Sequence, residues 1–304
     1  MIPSMLVLPD RLLFYHREAF FASQLLSEAA HLAETMFQTK SFLRLQRDEN
    51  HWITSTGYAI QALAYKRIEQ KFPSDGLLAK EGGDALDPTL LSHAVSSLKP
   101  IIKGVRETWV SAWIFRTGPE NSLASRYWIL GNQGPFSVRS RVYNIHLGLI
   151  EAGKLVFAAA IYPYFSSDFG VQGALFVASH QGFWYLTTKP GAQYQLFPSD
   201  RHHPNEVIPT SSLRMPSPQY ISVATGLTDG FIKHSSMERP LYSWDHIASL
   251  FVEAAGGEVT DLEGNSLDFS FGALLPHFGV VASNGWFHPI LLSTCQKDNS
   301  LSAL

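Results

Sequence analysis

The chain contains a single cysteine, Cys295. An internal disulfide and a cysteine-built zinc site are thereby excluded, and Cys295 reads as a small buried apolar residue. Charge is also scarce. Asp, Glu, Lys and Arg make up 16% of the residues, against the ~25% usual in globular proteins. With a net charge of -3 and no long run of Lys and Arg, nothing provides an electrostatic footprint for nucleic acid. No segment offers the ~18 consecutive apolar residues of a membrane-spanning helix. The opening stretch MIPSMLVLPDRLLFYHREAFF lacks a basic start, a continuous apolar core and a small-residue cleavage site, so no secretory signal is expected. The expectation is a cytoplasmic protein without a nucleic-acid or membrane partner.

Apolar and aromatic residues are well represented, at 45% and 12% of the 304 residues. That length supports one large core or two smaller ones, and two layered halves are expected. The aromatic surplus over charge points to apolar surface to cover or an apolar ligand to hold. Phe21, Leu25, Ala29, Leu32 and Met36 recur at three- and four-residue spacing, which predicts a helix over 17–39. A second helix is predicted over 58–71, with Ile60, Leu63, Ala64 and Ile68 on one face, stopped by FPSDG. DPTLLSHAVSSL reads as a third, capped by Asp87 with Pro88 at the first helical position.

The segments WVSAWIF, YWIL, VYNIHLGLI, LVFAAAIY and ALFVAS are short, β-branched or aromatic and separated by Gly, Asn or Pro, which predicts strands. EAGK is the expected hairpin turn. Further on, YISVATG is strand or helix, SWDHIASLFVEAAGG is a helix ended by Gly256, LEGNSLDFS is a turn and GVVASN is a strand. The predicted division is 1–187 for the helices and main sheet, 188–218 for a connector rich in Pro, Ser, His and Asn, and 219–304 for a C-terminal α/β portion. Helices, then an antiparallel-looking sheet, then a smaller α/β half describe a layered α+β protein.

The wording of these segments resembles the inositol monophosphatase superfamily, and within it the 3'(2'),5'-bisphosphate nucleotidase branch. GLTDGFIK and YSWDHIASLFVEAAGGEVTDLEGNSLDF are similar to the family's G-L-A-D and W-D-H-A-A-G…E-A-G-G…T-D…G…L-D-F. ITSTGYAIQALAYKRIEQKFPSDGLLAKEGGDAL resembles the segment in which V-T-x-x-D-Y-x-x-Q leads to G-E-E. YWILGNQGPF stands where the family has W-x-x-D-P-I-D-G-T. The resemblance implies a layered αβαβ(α) sugar-phosphatase-like fold, with helices packed on an antiparallel or mixed sheet. It also implies phosphate-monoester hydrolysis with magnesium ions, which demand oxygen ligands and activate the attacking water.

The same resemblance locates the family's ligands here. Its V-T-x-x-D aspartate falls on Gly57, the glutamates of G-E-E on Lys80 and Glu81, and the aspartates of D-P-I-D-G-T on Gly131 and Gly134. The threonine of that motif falls on Phe136, while the aspartate of W-D-H is retained as Asp245. On this reading no metal and no cofactor are expected.

Lys80 is then expected near Asp245 and Glu81, either as a plain ion pair or as a donor that orients a ligand. Asp245 is a site residue or a helix cap. Asn132 and Gln133 either orient a carbonyl or satisfy their own loop backbone. Phe136, Trp52, Tyr58 and Trp244 are candidates for an apolar binding wall, with Trp244 equally readable as core. His202 and His203 read as solvated loop residues.

The function expected from this set is a metal-independent cyclase or isomerase. Lys80, Asn132, Gln133 and Asp245 would be catalytic. Trp52, Tyr58, Glu81, Phe136 and Trp244 would bind a hydrophobic small molecule. The alternative is a non-catalytic module that binds a metabolite or a protein. A homodimer is left open.

Overall fold

The computed structural model describes residues 14–46, 52–82, 86–118, 125–133, 143–166, 172–187, 193–195, 207–208, 216–235 and 240–301. The chain opens with helix α1 (His16–Gln38), strands β1 (Arg44–Gln46) and β2 (Trp52–Thr54), helix α2 (Ser55–Lys71), strand β3 (Gly76–Ala79) and helices α3 (Pro88–Leu98) and α4 (Glu107–Thr117). A run of strands follows: β4 (Arg126–Gln133), β5 (Asn144–Glu151), β6 (Lys154–Ser166), β7 (Gln172–Ser179), β8 (Gly182–Thr187), β9 (Gln193–Gln195) and β10 (Val207–Ile208). The last part holds α5 (Pro216–Ala224), β11 (Gly230–His234), a 3-10 turn (Ser243–Asp245), α6 (Ser249–Ala255), β12 (Glu258–Thr260), β13 (Gly279–Ser283) and α7 (His288–Leu301).

Strands β3 to β9 form a seven-stranded sheet in sequence order, antiparallel except for the parallel β3–β4 pair. Alternation along its strands separates two cores. On β4, Trp128 and Leu130 face the layer of α1, α2, α3 and α4, whereas Tyr127 and Ile129 face α5, α6 and the second sheet. That second sheet runs β10-β11-β13-β12. Val280 and Ala282 of β13 join the inner core, while Val281 turns outward to Leu291 and Cys295 of α7. Helices, sheet, helices, sheet and helix stack in that order, which is the expected α+β layering.

Local chemistry fixes the element ends. The Thr54 hydroxyl accepts the Gly57 N–H at 2.8 Å and so starts α2, earlier than the hydrophobic spacing predicts. Asp87 accepts the Leu90 N–H at 2.8 Å and Pro88 follows it, as expected for α3. The β5–β6 hairpin turns through Ala152 and Gly153 with φ of 48° and 78°. Two left-handed residues match the twist of the strands they join.

SWDHIASLFVEAAGG is not one helix but a 3-10 turn at Ser243–Asp245 followed by α6, with Ala248 rather than Asp245 at the N-cap; a strand reading also needs correction. WVSAWIF is not a strand: it lies in α4, where Val110, Trp113, Ile114 and Thr117 are buried at helical spacing and Trp109 and Phe115 stay exposed. Its β-branched and aromatic composition hid a period of 3.6. YISVATG, open between strand and helix, belongs largely to α5. Of the expected connector at 188–218, only β9, β10 and the start of α5 fall among the described residues. No helix among the described residues is long and apolar enough to cross a membrane.

One charged knot ties the helical layer to the sheet. Arg126 at the start of β4 donates to Glu18 of α1 at 2.7 Å, to Glu151 of β5 at 2.9 Å, and to Asp75. Trp128 Nε1 donates to the same Asp75 carboxylate at 2.9 Å. Replacing Arg126 by Met leaves Asp75, only 6% exposed, without its cation. Because the arginine itself is partly solvated, we expect a loss of about 2 kcal/mol rather than the 3–5 of a fully buried pair. Urea denaturation checks this, and an unchanged midpoint would show that the knot is not stabilising.

Candidate functional site

Two contacts fall on adjacent residues near the end of β4: the first turn of α2 and Glu81, just past the end of β3, lie beside Asn132, and the 3-10 turn lies against Gly131. Parallel pairing of Ala79 with Leu130 carries residues 80 and 81 alongside 131 and 132. Gly57 presents a bare α-carbon to them. A β-carbon there would lie 3.0 Å from Glu81 Oε1, 3.0 Å from Thr54 Oγ1 and 3.6 Å from Asn132 Nδ2. The Glu81 carboxylate thus occupies ground that a larger residue at 57 would claim.

Glu81 is 4% exposed, and Gln61 of α2 clamps its backbone. The Gln61 side chain accepts the Glu81 N–H at 3.0 Å and donates to the Glu81 carbonyl at 2.5 Å and to Thr117 Oγ1 at 2.7 Å. Three elements therefore set the position of one carboxylate.

The approach at Gly131 is backbone on backbone. A β-carbon there would collide with the Trp244 carbonyl oxygen and lie 3.5 Å from Ile247 Cδ1. The absence of a side chain lets the 3-10 turn dock on β4, which fixes where Asp245 stands. Asp245 is half-buried and donates its N–H to the Tyr242 carbonyl at 3.0 Å. Its charge reaches Lys233 on β11: burial lowers the Lys233 pKa, and Asp245 opposes that fall. Behind Asp245, the fully buried His246 meets the Tyr220 hydroxyl at 2.6 Å through Nδ1. Burial holds the His246 pKa well below its ordinary value, with Lys233 and His277 adding to the fall. Tyr220 is raised well above its ordinary value, first by burial and then by Glu253 and Asp245. Both groups are therefore neutral around neutral pH.

The residues singled out from sequence divide clearly. Glu81 and Asn132 converge at Gly57, and Asp245 is held one residue beyond the Gly131 contact. Lys80 is half-buried at the end of β3, and its ammonium donates to the Trp52 carbonyl at 3.5 Å. A cation in the field of Asp245 is Lys233, because the turn faces the second sheet as well as β4. Trp52 lies under the Arg44 guanidinium at 4.7 Å. Tyr58 is 2% exposed in the helical core, with its hydroxyl accepting the Asp87 N–H at 3.3 Å, so it offers a ligand almost no surface. Trp244 is 6% exposed beneath the Tyr242 ring. Gln133 ends β4 opposite Asn144. Gly134, Phe136, His202 and His203 lie outside the described residues.

Sequence reasoning missed Lys233 and Tyr242. The signal for Lys233 was a single ammonium after the apolar Phe231 and Ile232, at the fourth residue of β11. Tyr242 carried no comparable signal.

Magnesium takes an octahedral set of oxygen ligands, usually with carboxylates among them. The carboxylates at this cleft are Glu81 and Asp245, while Gly57 and Gly131 bring no donor and Lys80 brings a cation. Among the described residues no group of three or more His, Cys, Asp or Glu is placed to hold a metal ion. Among the described residues, that donor set does not supply a paired-metal centre.

Residues 136–299 match the family model of the inositol monophosphatase family. A putative mitochondrial 3'(2'),5'-bisphosphate nucleotidase of Arabidopsis thaliana is 23% identical over 349 aligned positions, covering 91% of this chain and 86% of its own. A 3'(2'),5'-bisphosphate nucleotidase of Emericella nidulans is 24% identical, covering 93% of this chain and 98% of its own. Among solved structures, the extragenic suppressor protein suhB of Bartonella henselae superposes with a TM-score of 0.63 at 16% identity, covering 92% of this chain and 99% of its own. The IMPase of Thermotoga maritima gives 0.61 at 16% identity, covering 92% and 97%; at these identities the likeness is one of fold.

These relatives overturn the expected function. A chain aligned with named bisphosphate nucleotidases over nine-tenths of its length gives no support to a cyclase or isomerase acting on a hydrophobic molecule, and the non-catalytic alternative is set aside with it. That expectation rested on which carboxylates are absent. Missing donors do not by themselves specify a new substrate.

The close approach at Gly131 has a direct consequence. Gly131→Ala should cost about 2–3 kcal/mol, as overpacking against rigid backbone does. Gly57→Ala should stay within about 1 kcal/mol of wild type, since it meets side-chain ends and gains helix propensity. Denaturant midpoints of the two variants measure the contrast. Equal midpoints would contradict the backbone contact.

Proposed function

This chain belongs to the inositol monophosphatase family, and we propose that its cleft takes a phosphate monoester of the nucleotide class, with 3'(2'),5'-bisphosphate nucleotides as the leading candidates. The observation that carries this reading is the convergence of Gly57, Glu81, Asn132 and the turn bearing Asp245 at the ends of β3 and β4. The names of the relatives supply the substrate class.

The chemistry follows from the charges available. Lys80, which donates to the Trp52 carbonyl, and Lys233, in the field of Asp245, are the ammonium groups near these contacts, and an ammonium is a point-charge partner for a phosphoryl oxygen. Asn132 adds a neutral donor. Hydrolysis needs a water that loses a proton as it attacks phosphorus, while the bond from phosphorus to the ester oxygen breaks in line behind it and the departing alkoxide takes a proton from solvent. Asp245, half-buried and held by its turn, is the carboxylate for the proton of the water. Glu81, clamped by Gln61 and almost without exposure, orients Asn132 and the ligand. Fixed cations then stabilise the charge on the equatorial oxygens, and such stabilisation, together with positioning, accounts for most of the catalysis in phosphoryl transfer.

The test is a calorimetric titration with adenosine 3',5'-bisphosphate and with inositol 1-phosphate, followed by an assay of released phosphate with and without added magnesium. Saturable binding that inorganic phosphate competes away is expected. Asp245→Asn should keep the dissociation constant within a few-fold and lower turnover by roughly a hundred- to ten-thousandfold, the range for a general base. Absence of saturable binding by any phosphate monoester would overturn the reading.

A further inference from the structure

We propose that Tyr242 is the platform on which the base of the nucleotide stacks, and so the residue that makes the cleft prefer a nucleotide to a base-free phosphate ester. This rests on the phosphate-ester reading above and extends it to the part of the ligand that carries no phosphate.

Tyr242 lies parallel to Trp244, with ring centroids 4.9 Å apart and 9° between the planes. The indole beneath is 6% exposed, whereas Tyr242 is 37% exposed. One side of the pair is therefore anchored in the core and the other meets solvent. More exposed aromatics such as Phe271 and Phe278 stack on no ring among the described residues. Tyr242 is the outer member of a built stack.

The backbone holds that stack rigidly. Ser243 donates to the Ala273 carbonyl and Leu275 to the Leu241 carbonyl, both at 2.9 Å, and Tyr242 bridges Leu274 between them. Tyr242 is also joined to the reaction centre, because its carbonyl accepts the Asp245 N–H at 3.0 Å within one 3-10 turn. A phosphate ester bound at Asp245 has this ring within the span of a nucleotide. Little side-chain freedom remains to be lost on binding, since the ring already rests on Trp244. Every base offers a π-face, so stacking here selects for a base without reading which one it is.

Calorimetry on wild type, Tyr242→Phe, Tyr242→Ala and Tyr242→Leu, with adenosine 3',5'-bisphosphate and ribose 5-phosphate as probes, separates the possibilities. Tyr242→Phe should bind both probes like wild type, because the ring face is kept. Tyr242→Ala and Tyr242→Leu should weaken the nucleotide by roughly five- to a hundredfold, the usual range for one base on one aromatic ring, and leave ribose 5-phosphate within twofold. Leu still covers Trp244, so a loss shared by both variants is not a folding defect; thermal melts verify this. If wild type binds both probes equally well, or the Leu variant weakens neither probe or both alike, Tyr242 is not the platform, while the phosphate-ester reading stands. If wild type binds neither probe, that reading fails and this inference fails with it.

Discussion

The carbonyl oxygen of Trp244 lies so close to the α-carbon of Gly131 that no side chain fits between them. This contact presses a short turn of the C-terminal half against a central strand of the large sheet, and most of the cleft follows from it. Asp245 takes its position from the turn. Tyr242 is drawn over Trp244, and Ile247 is carried into the core that the two sheets share. On the opposite side of β4, the Gln61 side chain fixes Glu81 by its backbone. The cleft is thus set by main-chain contacts, which vary less with motion than contacts between long side chains.

Charge in this chain is sparse and concentrated. At one end of β4, Arg126 gathers Glu18, Asp75 and Glu151 in a structural knot. Near the other end, Glu81 lies beside Gly57 and Asp245 follows the Gly131 contact, while Lys80 donates to a carbonyl and Lys233 is in the field of Asp245. The first set spends its charges on each other. The second is the set that the proposed phosphate ester would meet. His246 and Tyr220, directly behind Asp245, are kept neutral by burial, so they add shape and a hydrogen bond there without adding charge.

Much of the fold was legible because its signals are local. Asp87 and Pro88 announced α3, the three- and four-residue spacing of Phe21 to Met36 announced α1, and the EAGK turn announced the β5–β6 hairpin. WVSAWIF misled because its residue types favour strands while its burial pattern is helical, and only packing against α2 and α3 reveals which wins. The site was half legible. Residue types and motif wording led to Glu81, Asn132 and Asp245, but Tyr58 proved to be core. A cation in the field of Asp245 came from β11, because a lysine adjacent in a motif and a lysine adjacent in space are set by different parts of the chain. The motif wording pointed to the phosphatase family, and what misdirected the reading was the incomplete set of family carboxylates, which says which donors are gone and not which ligand enters.

Amide hydrogen exchange with and without adenosine 3',5'-bisphosphate tests the central claim most directly, because it reports where on the chain a phosphate ester settles. The account predicts slowed exchange in four separate stretches at once: 54–57, 80–82, 130–133 and 242–246. Protection confined to other segments, or none at saturating nucleotide, would contradict the claim that these four ends form the binding cleft.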